Sequence, residues 1–82
     1  MAPQQLLDQL RRRPFEPFRV VQTDGEAYAI RHPEMLMVGL SAAVIGLSSD
    51  PVQDLFERTV ILDLRHIIRI EPLPAATGKN GA

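Results

Sequence analysis

The chain has 82 residues, 45% of them hydrophobic, no cysteine and a formal net charge of -1, with a pI near 6.0. This excludes disulfides and thiolate metal sites, speaks against a strongly basic nucleic-acid module, and leaves two histidines without the partners a structural zinc needs. No apolar run approaches the roughly 20 residues of a membrane helix, so no membrane partner is expected.

The opening "MAPQQLLDQLRRR" reads as an amphipathic helix over about residues 4–13. Leu6, Leu7 and Leu10 form one apolar stripe. Pro3 suits the first turn, Asp8 and Arg12 are spaced for an ion pair, and Arg11, Arg12 and Arg13 suit the negative end of the dipole before Pro14 stops the helix. The segment lacks the apolar core and cleavage site of a secretory signal, which predicts a soluble, cytoplasmic protein. In "PFEPF" two prolines keep the chain extended, and Phe15 and Phe18 anchor the helix on the segment after it.

"FRVVQTDGEAYAIRHPE" is a hairpin signal, with Asp24-Gly25 as a two-residue turn between β-rich flanks. His32-Pro33 ends the second strand, because proline cannot continue a central ladder. "MLMVGLSAAVIGL" reads as a strand with a kink or tight turn near Gly39–Ser41 and then more strand. Residues 48–55 form a polar loop. "FERTVILD" alternates, and "IIRIEPL" is a last short strand, with Leu64–His66 as a sharp corner between the two. Residues 75–82 carry no large apolar side chain and read as a disordered tail after a single domain over 1–74. The expected core is Phe18, Val20, Ile30, Val60, Leu62 and Ile68, with Phe15 and Phe56 beside it and Leu6 and Leu10 capping one end.

One helix followed by about five short strands predicts a mainly β protein built as a small barrel. A chain this short buries only about 60% of its unfolded surface, and small domains without staples commonly gain stability by self-association. Nothing in the chain supplies a nucleophile, paired carboxylates, a phosphate loop or a metal cluster, so no enzyme, cofactor or metal is expected. His32 beside Glu34 lacks an oriented partner. Arg19, Arg31, Arg58 and Arg69 have Glu16, Glu26, Glu57 and Glu71 available for pairing.

The order of elements, with "LLDQLRRRPFEPFRVVQTDGEAYAI" and "VILDLRHIIRIEPL", resembles the bacterial Sm-like (Hfq-like) family. The resemblance implies a five-stranded Sm-like (SH3-like) barrel with an N-terminal helix, assembled as a ring. In such rings the fourth strand of one subunit pairs with the fifth of the next, here roughly Phe56–Asp63 and Ile67–Glu71. It implies single-stranded RNA as partner, bound by Arg65 and His66 at the pore and by Arg11, Arg12 and Arg13 at the rim. The aspartate–glutamine–phenylalanine run of that family has no counterpart in "RHPEML". The pattern "PFEPFRV…DGEAYAIRHPE" is also similar to that of many small bacterial proteins to which no activity is attached.

The residues themselves leave plainer alternatives open. Arg65 and His66 equally suit a solvated turn, and the triple arginine a solvated helix end. Three phenylalanines and one tyrosine are few stacking platforms for a single-strand binder, and only Tyr28 has a choice of face. The competing expectation is a protein-interaction or assembly module that binds no nucleic acid.

Overall fold

The computed structural model describes residues 1–47 and 56–74. The polar loop expected at 48–55 and the tail expected at 75–82 lie outside the described residues. The chain runs α1 (Pro3–Leu10), β1 (Phe18–Gln22), β2 (Ala27–Ile30), β3 (Leu36–Val38), β4 (Ala42–Leu47), β5 (Arg58–Asp63) and β6 (Ile67–Pro72). Short 3-10 turns fill Pro33–Met35 and Leu64–His66.

The helix is shorter than expected. Gln5 reaches back to the N–H of Ala2 at 3.0 Å to close its start, and Arg11 already caps its end at φ −93°, ψ 1°. Arg12 and Arg13 lie beyond it. Arg13 is driven from helical geometry by Pro14, and residues 11–13 offer no apolar side chain to hold another turn on the core. Leu6 is fully buried, while Leu10 packs at the margin. Asp8 accepts from Gln4 at 2.9 Å, and Arg12 pairs instead with Glu16 at 3.3 Å. Phe15 and Phe18 meet with ring centroids 6.0 Å apart, tilted by 60°, and so tie the link to β1.

The strands form two antiparallel sheets, β2-β1-β6 and β3-β4-β5. The first hairpin differs from the two-residue turn read from Asp24-Gly25. Gln22 N–H donates to the Glu26 carbonyl at 2.8 Å and Gly25 N–H to that of Gln22 at 3.0 Å, leaving the three-residue loop Thr23–Gly25. Gly25 takes φ +91°, the left-handed position that closes a three-residue loop and matches the twist of the strands. At Gly39–Ser41 the chain makes a tight turn, not a kink: Gly39 N–H donates to the Ala42 carbonyl at 2.7 Å, and β3 and β4 run antiparallel. That reversal, with the break at Pro33, gives six strands where about five were expected. Among the described residues no ladder joins the two sheets.

The core lies between the sheets. Phe18, Val20, Ile30, Ile45 and Leu62 are buried in it, together with Leu6 from the helix. Val60 is half-buried against them. Two expected core residues are displaced. Val21 faces Arg69 but Gln22 faces Ile67, so Ile68 is the extra residue of a β-bulge. The bulge breaks the alternation, buries Ile67 and leaves Ile68 52% exposed. Phe56 is 47% exposed and lies across the backbone of Gly46, on the outside of its sheet. Among the described residues no helix is long and apolar enough to cross a membrane.

Candidate functional site

The corner between β5 and β6 is built by Asp63. This residue ends β5 in extended geometry, and its Oδ1 accepts the backbone N–H of Arg65 at 2.9 Å. A short acidic side chain that caps its own chain two residues on favours a tight turn immediately after it. Leu64 is buried and roots the turn in the core, which forces Arg65 and His66 outward. Three other parts of the chain hold the turn. Leu64 N–H donates to the Ser41 carbonyl at 3.0 Å, Thr23 N–H donates to the His66 carbonyl at 2.8 Å, and the Met1 ammonium donates to the Leu64 carbonyl at 2.7 Å. Both hairpin turns therefore converge on the corner, and its backbone is fixed before any ligand arrives.

Arg65 is exposed over 85% of its side chain but is not a bare cation. Its Nη2 lies 2.7 Å from Asp63 Oδ2, and its Nε lies 3.2 and 3.3 Å from the two carboxylate oxygens. The forked hydrogen bond from the Arg65 guanidinium is the largest influence on the Asp63 carboxyl, which is held well below the usual carboxylate range. One edge of the guanidinium is thus already occupied by an anion. His66 stands beside it, exposed.

Arg11, Arg12 and Arg13 are exposed at the opposite end of the helix. Arg12 borders a shallow hollow with Gln9, Glu16, Phe18, Ile70 and Pro72, at the far end of β6. The start of the chain touches Leu64 and the helix end lies by Ile70, so the length of β6, on the order of 15 Å, separates Arg12 from the corner. Within one chain, the structure does not bring the two expected basic groups together. Tyr28 is half-buried against the core opposite Val20, which removes it as an open stacking platform.

Sequence reasoning missed a surface on the other sheet. Met37 pairs with Val44 and Val44 with Ile61, so these three form one row across β3, β4 and β5. Met37 is 67% and Ile61 72% exposed, and the Phe56 ring lies two positions along the same face of β4, over Gly46. The outer face of β1 and β6 is charged instead: Glu71 sits between Arg69 at 2.6 Å and Arg19 at 3.1 Å. The signal for the apolar row was present in "TVILD", where Ile61 falls out of phase with the buried Leu62. Alternation alone puts Ile61 on the face away from Leu62, but it does not show that Met37 and Val44 lie beside it, because that depends on the pairing of three strands.

No protein-family model, no curated protein and no solved structure matches this chain. The described residues define the class: a small, mainly β domain with one N-terminal helix and six strands in two sheets.

Proposed function

We propose that the chain is a non-enzymatic binding module of Sm-like architecture, which assembles with copies of itself and presents the Arg65–His66 corner to single-stranded RNA. The observation that carries this reading is the pair of open edges. β5 and β6 follow one another in the chain, yet each belongs to a different sheet and, among the described residues, is paired on one side only, as are the other two edge strands, β2 and β3. β5 and β6 each also carry an exposed isoleucine, Ile61 or Ile68. Unpaired edges with apolar side chains attract strands from other chains unless they are blocked. Taken as two halves of one bent strand interrupted at Pro33, β2 and β3 reduce the count to the five strands of a Sm-like barrel. In a ring, repetition of the corner would gather Arg65 and His66 from many copies around one opening, and the exposed Arg11 and Arg13 would supply phosphate contacts at the rim.

The test is a titration of the chain with short uridine-rich and adenine-rich RNA at two salt concentrations. Binding that weakens with salt, and weakens further on Arg65→Ala, supports the reading. A folded, oligomeric protein that binds neither RNA at low salt removes the RNA part. A second reading, a protein-assembly module without nucleic acid, is favoured by the Asp63 carboxylate on Arg65 and by the apolar row Met37–Val44–Ile61. That second reading predicts the oligomer without the RNA.

A further inference from the structure

We infer that Asp63 determines what the corner can recognise: by filling the forked edge of the Arg65 guanidinium, it turns Arg65 away from phosphate and toward neutral hydrogen-bond acceptors such as base carbonyls. This rests on the RNA reading above and sharpens it. An arginine offers five N–H donors, and its Nε–Nη2 edge is one of those that match a phosphate or carboxylate in bidentate fashion. Here both donors of that edge are spent on Asp63. A phosphate approaching the remaining Nη donors would also approach the Asp63 carboxylate, and like charges that close repel. A base carbonyl carries no net charge and meets no such penalty.

Asp63 is fixed in this role by its place in the fold. It faces outward at the end of β5, opposite Ala42, and its Oδ1 is also engaged by the Arg65 backbone N–H at 2.9 Å. The carboxylate therefore cannot swing aside without uncapping the turn. Salt sensitivity in RNA binding is then a property of the exposed arginines at the helix end, not of Arg65.

The experiment compares two probes on the full chain: a fluorescent hexauridine, and a ribose-phosphate hexamer of the same length lacking bases. Wild type should bind hexauridine more tightly than the abasic strand. Arg65→Ala should weaken hexauridine binding by about threefold or more without changing its salt slope. Asp63→Asn keeps an oxygen to cap the turn but loses the charge. It should gain affinity for the abasic strand, with a salt slope steeper by about 0.7 for each phosphate newly contacted. Asp63→Ser, another neutral cap, should behave alike. Equal affinity of wild type for both probes, or an unchanged abasic affinity and slope in Asp63→Asn, overturns the inference. If wild type binds both probes equally, the inference falls while the RNA reading stands; if wild type binds neither, both fall, even where Asp63→Asn gains the abasic strand.

Discussion

Asp63 accepts from the backbone N–H, Nε and Nη2 of Arg65, Glu71 accepts from Arg19 and Arg69, and both carboxyls are held below their ordinary values. For Asp63 the leading cause is the Arg65 side chain, and for Glu71 it is the hydrogen bond from Arg69. A depressed carboxylate contributes stability that is present above its unfolded pKa and lost as pH falls through its folded pKa. The melting temperature should therefore hold steady above the ordinary values of 3.8 and 4.5 and decline as pH is lowered below them. Asp63→Asn combined with Glu71→Gln should flatten that decline, and thermal melts across an acid series measure it. Gly46 makes a second case at this scale. It lies within β4, and a Cβ there would sit 2.6 Å from the Phe56 ring. Gly46→Ala should cost about 1–2 kcal/mol through displacement of the ring, and Phe56→Ala in that background should recover part of the loss in a double-mutant cycle. Neither the Asp63–Arg65 fork nor the Phe56–Gly46 contact was legible in the sequence. The first depends on the 3-10 geometry of the corner, and the second joins residues ten apart in the chain.

At the scale of elements, the turns were the most legible part. Gly25, Gly39 and Pro33 each act through local backbone chemistry, so the hairpins and the strand break appear where those residues predict them. The corner at Leu64–His66 was legible for the same reason: the alternation fails there. The bulge at Ile68 was not, because it arises from pairing with β1 and has no local signature. Period-two reasoning placed Ile68 in the core and passed over Ile67. The two positions now give opposite predictions. Ile67→Ala should destabilise by about 2–4 kcal/mol, whereas Ile68→Lys should change the stability of an isolated subunit by about 0.5 kcal/mol or less. Chemical denaturation at low protein concentration separates them. The helix supplies a parallel contrast. Leu6 is fully buried, so Leu6→Ala should cost about 2–5 kcal/mol, and Leu10→Ala, at the margin of the core, should cost less. A larger cost at Leu10 than at Leu6 would mean that the helix docks by its C-terminal turn instead.

At the scale of the whole molecule, the two outer faces differ in kind. Arg19, Glu71 and Arg69 cover β1 and β6 with paired charge, while Met37, Val44 and Ile61 leave the β3-β4-β5 sheet apolar. That asymmetry, with the open edges of β5 and β6, is the physical case for self-assembly. The mainly β class and the N-terminal helix were legible from strand patterning. The sequence could not show which edges stay unpaired, since that depends on the order of strands within each sheet. The most direct test is the mass of the chain by light scattering at high micromolar concentration, for wild type and for Ile61→Asp. The account predicts a wild-type mass that is a multiple of 9.1 kDa, falling to 9.1 kDa in the variant with its circular dichroism unchanged. A wild-type mass of 9.1 kDa, or an oligomer untouched by Ile61→Asp and by Ile68→Lys, would contradict it.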